Sequence, residues 1–596
     1  MFVSFINMSQ FFVSSDKVKT GQTFVAVPSE NGLDYRPGGR IDLYIPPTSK
    51  FIDLSQTKLK FSVSLALPAG TDAGLVRLQL DGQTGLHSLI RSVRVFTGRK
   101  TALLEEIEGY DVLTALRFDY ETNENLRNKR VLTDGATGYD PASRGTEGTT
   151  KTVQGNCFSN PYFSKIESNT TLTASFTKAS SNDFQVVTGE LELNTGLFRN
   201  DAVFPALLTD GLFIEILLQD STKVFRQFDS TLESRRLNLN PVFHSTNGSD
   251  TAATTSGSWK NASEISSFYV TRQNNQTSVP TFPFVVGQRV GFAKPDGTSL
   301  NGSSASITQI EYSTGGAGTA FGTSKIKVSL SKNVSNTMGA TAPNTIKPVL
   351  ISRSTELAAA YQPTYTVSNV EMVVAQITVP DGYESSMMAM MSEGGTMNYD
   401  YRSFTNYRYS QVKDDLVVNM RLPLIESRAT SILCVPTDAT PYKAHEALSA
   451  SRTYLIDSNT EDFKNFSARS GLVGVVDELQ NYQLIYDGKI NPSRRVDTTK
   501  ISNRVSISQQ WAIEAEKALA MADIEPLSFR AFRENFFVGR ALALGRNSVY
   551  DARGIDFNLQ LEYTGAASPS VNHLWMNFVA HVRRLVIRQG GLAVEV

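Results

Sequence analysis

Apolar and polar residues alternate in short runs along most of the chain. Leu59, Phe61, Val63 and Leu65 interleave with Lys58, Lys60, Ser62 and Ser64. Far downstream, Ile555, Phe557, Leu559, Leu561 and Tyr563 interleave with Asp556, Asn558, Gln560 and Glu562, and Ile326, Val328 and Leu330 repeat the pattern between them. A period of two with one apolar face describes a strand half buried in a sandwich. Helical spacing is rare. It predicts a helix over Ser508–Asp523, with Trp511, Ala515, Ala518, Leu519 and Ala522 on one face and Pro526 beyond its end. A second helix is expected over Leu103–Leu116, and a short Met-rich one near Ser385–Ser392. Strand-rich sequence with isolated helices in the connections points to an all-β chain of packed sandwiches rather than to alternating β and α.

The order of elements repeats weakly. The first half reads as strands at Thr57–Leu65 and Leu89–Phe96, the helix from Leu103, and strands at Leu212–Leu218 and Tyr365–Val374. The second half reads as strands near Leu416–Leu424 and at Tyr482–Tyr486, the Trp511 helix, then strands at Asp556–Tyr563 and Trp575–Ile587. The last two strands of the second copy are separated by about ten residues, those of the first by roughly 145. So long a connection needs structure of its own. Its strand-like runs at Phe282–Phe292, Ile307–Tyr312 and Ser324–Leu330 predict a small inserted β-domain. The expected division is an N-terminal arm over 1–38, a first sandwich over 39–228 continued at 361–384, an insertion over 229–360, and a second sandwich over 385–596.

Composition narrows the function. With 57 Lys+Arg against 58 Asp+Glu, the chain has no overall field to draw it onto nucleic acid or an acidic membrane. Two cysteines, Cys157 and Cys434, make no disulfide framework and are read as ordinary thiols of a chain that folds under reducing conditions. The apolar start, Met1–Val13, lacks a basic leader segment and is not read as an export signal. No run reaches the ~18 apolar residues of a membrane-spanning helix. Eight Asn-x-Ser/Thr sequons, at Asn7, Asn169, Asn247, Asn261, Asn275, Asn301, Asn333 and Asn465, are read as a by-product of the polar composition.

Candidate chemistry is sparse. His87, His244, His445, His573 and His581 form no metal-ligand spacing, so no metal or cofactor site is expected. Neither a GxSxG elbow nor a GxxxxGK[ST] phosphate loop occurs, and Gly315–Gly322 reads as a plain loop. Glu105, Glu106 and Glu108 are read as solvated charge on the first helix, Asp414–Asp415 likewise before a strand, since neighbours in sequence are not the facing carboxylates of glycoside hydrolysis. Arg583, Arg584 and Arg588, and Arg494–Arg495, suit pairing between subunits better than a genome-facing patch. The run Tyr399, Tyr401, Phe404, Tyr407 and Tyr409 is read as a packed strand rather than a base-stacking ladder.

Several stretches, taken in order, resemble the double jelly-roll major capsid proteins of virophages and polinton-like viruses. RIDLYIPPTSKFIDLSQTKLKFSVSL at Arg40–Leu65 is similar to that family's opening strands, and LHSLIRSVRVFTGRKTALLEEIEGYD at Leu86–Asp111 to its strand and acidic helix. NKRVLTDG at Asn128–Gly135 resembles the loop that follows, FPALLTDGLFIEILLQD at Phe204–Asp220 and Tyr365–Val374 its later strands. Phe404–Tyr409, RATSILCVP at Arg428–Pro436 and His581–Val596 resemble strands of the second roll. The resemblance spans most of the chain outside the insertion. It implies two tandem jelly rolls, no enzymatic activity, and a homotrimeric capsomer with a pseudo-hexagonal footprint in an icosahedral shell. The partners it implies are further copies of the chain, a single jelly-roll penton protein, minor or cement capsid proteins and, weakly, the genome at the inner face; no small-molecule substrate is implied. A carbohydrate-binding or carbohydrate-active multi-sandwich protein is the alternative reading, which the single tryptophan of the insertion, Trp259, disfavours. A secreted adhesin is the third.

Overall fold

A computed structural model describes residues 15–136, 187–227, 364–439 and 472–595, apart from short breaks at 48–49, 67–77, 82, 124–125, 127–128, 131–132, 207–209, 225, 503–506, 528–534, 546–547, 564–568, 570 and 589–590, together with strand segments within 157–172 and 240–350. Two sets of eight strands hold the two cores. The first set is β1 (Gly21–Pro28), β2 (Arg40–Ile45), β3 (Phe51–Ala66), β4 (Ile90–Thr97), β5 (Leu103–Glu108), β6 (Val187–Glu192), β7 (Leu212–Leu218) and β8 (Thr364–Thr378). The second is β9 (Met397–Gln411), β10 (Val417–Leu422), β11 (Ala429–Asp438), β12 (Leu479–Tyr486), β13 (Lys489–Asp497), β14 (Val538–Ala541), β15 (Phe557–Tyr563) and β16 (His573–Arg588).

The first set forms antiparallel sheets in the orders β1-β8-β3-β6 and β2-β7-β4-β5. The second forms β9-β16-β11-β14 and β10-β15-β12-β13. Each strand of the second set thus occupies the place of the strand eight earlier. In both sets the first strand pairs with the last, and the second with the seventh. Eight strands folded in this way into two facing sheets are a jelly roll, and the chain is a double jelly roll.

Alternation places the cores. In β6, Val187, Gly189 and Leu191 point inward while Thr188, Glu190 and Glu192 face solvent. In β15, Phe557, Leu559, Leu561 and Tyr563 are buried. The buried indoles are satisfied: Trp575 Nε1 donates to Gln411 Oε1 at 2.7 Å and Trp511 Nε1 to the Phe537 carbonyl at 2.8 Å. Such partners let a tryptophan fill a core without stranding its N–H.

Among the described residues, three helices of twelve or more residues sit in connections: α1 (Tyr110–Glu121) between β5 and β6, α2 (Asp381–Ser392) between the rolls, and α3 (Gln509–Met521) between β13 and β14. So α1 and α3 occupy the same place in their respective rolls. Ser508 caps α3, accepting from Trp511 N, and the helix follows the predicted span closely.

Two expectations are corrected. Leu103–Glu108 is a strand paired with β4, not the start of a helix; the helix begins after Gly109, whose φ of +74° turns the chain. Residues 21–28, expected within an arm, form β1, paired with β8 from Gly21↔Thr378 to Pro28↔Glu371.

Between β7 and β8 lies a further sheet in the order 240–244, 264–271, 325–335, 299–313, 289–293, 347–350. Thr171–Leu172, from the connection between α1 and β6, adds to its 299–313 strand. The ends of this segment meet. The Tyr365 hydroxyl donates to the Gln219 carbonyl, and the Gln219 side chain donates to Asp111 Oδ2 at 2.7 Å. Tyr365→Phe should therefore lower stability by about 1–2 kcal/mol, by leaving a buried carbonyl without its donor. Urea unfolding of the full chain would measure it; an unchanged midpoint would mean that the clasp contributes nothing.

Candidate functional site: the joint between the rolls

The two rolls meet along β5 and α1 of the first and β9 of the second. Glu105 of β5 is fully buried there. Its Oε1 accepts from Gly196 N at 2.8 Å and Ser403 Oγ at 2.7 Å, and its Oε2 from Leu197 N at 2.9 Å. Two of those donors come from the first roll and one from the second. Burial pushes the Glu105 carboxyl up; the bonds from Leu197, Ser403 and Gly196 and the Arg583 charge pull it back only in part, so it stays above the usual carboxylate range. Beside it, the Leu104 carbonyl accepts from the Tyr401 hydroxyl and from Arg583 Nη1, the latter at 2.6 Å.

Gly196 makes this approach possible. A Cβ on Gly196 would lie 1.3 Å from the Arg402 carbonyl oxygen of the second roll. Only a residue without a side chain lets the two backbones come so close.

A second cluster ties α1 to the segment between α3 and β14. The Tyr120 hydroxyl donates to the Asn535 carbonyl at 2.8 Å, Asn535 Nδ2 to Asp119 Oδ2 at 2.6 Å, and Arg117 Nη2 to the Asp523 carbonyl at 2.8 Å. The Tyr120 and Phe537 rings meet edge to face, 5.2 Å apart. Burial draws the Arg117 guanidinium down to about 10, still charged at neutral pH. A third cluster joins the first roll's 200–204 segment to β9: Asn200 Nδ2 donates to the Asp400 carbonyl at 2.9 Å and Tyr399 Oη to the Ala202 carbonyl at 3.1 Å, with Phe204 edge-on to Tyr399.

Several residues singled out in the sequence fall in this joint. Tyr399 and Tyr401 lie in a packed strand and face the first roll. Glu105, expected as solvated helix charge, is a buried strand residue, because the second roll covers its side of β5. Glu106 pairs with Arg94 at 2.7 Å, and Glu108 with Arg408 across the joint. Arg583 and Arg584 are engaged inside the chain, Arg583 with the Leu104 carbonyl and Arg584 through two bonds of 2.7 and 2.8 Å to Asp400. Arg495 pairs with Glu562.

Three of the five histidines are buried. His87 Nδ1 and the Tyr110 hydroxyl are hydrogen-bonded at 2.8 Å, and the ring's Nε2 lies 3.7 Å from Asp134. His573 lies 3.1 Å from Asp477, and burial pushes His581 down to about 4. His445 is outside the described residues, and His244 lies in the strand 240–244. Cys434 is buried and unpaired, its thiol pushed up by burial. Among the described residues, no three His, Cys, Asp or Glu side chains gather as metal ligands, and no helix is long and apolar enough to cross a membrane. The joint offers mechanical coupling: buried polar groups of the two rolls converge and hydrogen-bond across it.

Gly196, Asn535 and Tyr120 were not anticipated. Their local sequence carries no signal, since each matters only through a partner hundreds of residues away.

No family model matches the sequence, and no curated protein is similar to it. Among solved structures, the chain is similar to the Faustovirus major capsid protein, with 9% identity, a TM-score of 0.41, and 95% of this chain and 90% of that one covered. It is similar to a chain of the Sputnik virophage solved by cryo-EM, at 10% identity and a TM-score of 0.41, covering 97% and 89%. The mavirus major capsid protein gives 8% identity and a TM-score of 0.39, covering 100% and 96%. The double jelly roll rests on this chain's own strand order.

Proposed function

We propose that the chain is the major capsid protein of an icosahedral virus, a non-enzymatic wall subunit that assembles inside the host cell and resides in the virion. The observation that carries this reading is the duplication: two complete jelly rolls of identical strand order, fixed to one another by a buried polar joint. Closing two sheets face to face protects most strand edges and leaves flat flanks for lateral packing. A rigid pair of such modules suits a tiled wall, and three chains would supply six modules to a pseudo-hexagonal capsomer.

The partners we infer are other copies of the chain, a single jelly-roll penton protein at the vertices, and minor or cement proteins between capsomers. Contact with the genome at the inner face receives no support from Arg584, which pairs with Asp400, or from Arg583, which donates to the Leu104 carbonyl within the joint.

Size-exclusion chromatography with light scattering, followed by negative-stain microscopy, tests the reading. The purified chain should run at three times its 65.4 kDa mass or as shells. A strict monomer that binds sugars would overturn it.

A further inference from the structure

The insertion leaves the first roll after β7 and re-enters it at β8, and its stem is tied to α1 through an acid. Asp111, in the first turn of α1, is 1% exposed. Its Oδ1 accepts from the adjacent Val112 N at 2.9 Å, and its Oδ2 from Gln219 Nε2 at 2.7 Å. Gln219 is the first residue past β7, and each of its polar groups is engaged. Its N–H donates to the Leu89 carbonyl at 2.8 Å, its Oε1 accepts from Asp220 N at 2.9 Å, and its carbonyl takes the Tyr365 hydroxyl of β8. Two donors are few for a carboxylate with room for about four.

The charged and titratable groups on the elements around Asp111 do little to make up the shortfall. Lys223, exposed on the short helical turn 221–224, draws the carboxyl down, and Asp220 precedes that turn. From the segment 85–89, packed against α1, the His87 ring is taken by the Tyr110 hydroxyl; from β4, Arg91 lies 3.8 Å from Glu108. From β8 comes the Tyr365 hydroxyl, kept protonated by burial and by the Asp220 and Asp111 charges. An ionised Asp111 is thus short of solvation. Burial pushes its carboxyl up to about 6 from an ordinary 3.8, against the pull of Gln219, Val112 and Lys223.

We propose that Asp111 is a pH latch on the stem of the insertion: protonated, it lets the stem sit closed on α1; ionised, it draws water in and the stem opens more often. Opening hydrates the carboxyl and returns it to its ordinary value, so the closed form holds the proton more tightly than the open one. The advantage of closure is full below 3.8 and is lost as pH rises to about 6, above which both forms are ionised.

Hydrogen exchange of the full chain tests it, read as protection of the Gln219 and Asp220 amides relative to those of β15, each corrected for the exchange rate of an unstructured peptide at the same pH. In the wild type that ratio should fall about tenfold between pH 5 and pH 8, nearly all of it below pH 7. Asp111→Asn, which cannot ionise, should show no fall, whatever its level of protection. Gln219→Met keeps the acid but removes the donor that favours its ionised form, so its fall should extend above pH 7. A wild-type ratio that does not change with pH, an equal fall in Asp111→Asn, or a Gln219→Met profile that levels off where the wild type's does would each overturn the proposal. Should Asp111→Asn fail to fold, the wild type and Gln219→Met decide it between them.

Discussion

Gly196→Ala should part the two rolls while leaving each one folded. The new methyl carbon would meet the Arg402 carbonyl at 1.3 Å and Glu105 Oε1 at 3.0 Å. Overpacking a core with side chains costs about 1–3 kcal/mol because rotamers can shift. Here the obstacle is the backbone of a long strand paired along its whole length, so the loss should be at least about 3 kcal/mol, drawn from the joint rather than from either core. The measurement is limited proteolysis beside hydrogen exchange. Exchange in β9 and in α1 should quicken while that of β3 and β15 holds. Uniform loss of protection would mean that Gly196 supports the first roll and not the joint.

Glu105→Ala comes next in size. It strands three donors, the amides of Gly196 and Leu197 and the hydroxyl of Ser403, and leaves Arg583 without its nearby carboxylate. Losing such a buried network should cost about 3–5 kcal/mol, partly offset because a buried charge disappears with it. Glu105→Gln keeps an oxygen for Gly196 and Ser403 and loses only the Leu197 bond, so its cost should be smaller.

The acid also gives the two proteins different pH profiles. The Glu105 carboxyl is held above its ordinary range, so its contribution to stability is fully present below that range and lost as pH rises through the raised value. Acidifying from neutrality should therefore favour the wild type over Glu105→Gln. Denaturant midpoints of both proteins across that range would show it. Parallel profiles would place the titration elsewhere.

These residues mark how far the sequence could be read. Alternation found β3 and β15, because a strand with one face in a core writes a period of two into its residues. The turn-to-turn spacing of Trp511, Ala515 and Ala518 found α3 for the same reason. LLEEIE was misread because Leu and Glu favour helix in isolation, and pairing with β4 outweighed that preference. β1 escaped because Thr23, Phe24, Val25 and Ala26 are all exposed in the single chain and show no alternation. The joint was illegible for a different reason. Ser403 and Glu105 stand 298 positions apart, and nothing local to either states that they touch. The duplicated order of elements was legible; the contact it permits was not.

The clasp at Tyr365 has a consequence for how such a chain can change over generations. Residues 219–363 leave and return close together, where Tyr365 bonds Gln219, while the second roll spans the same gap with 564–572. Loop-closure entropy grows only with the logarithm of length, so that sixteen-fold range in length corresponds to ~2.4 kcal/mol at most for an unstructured connection. Selection can therefore lengthen, shorten or exchange what lies beyond the clasp with little effect on the roll that carries it. The wall and its ornament are free to evolve at different rates.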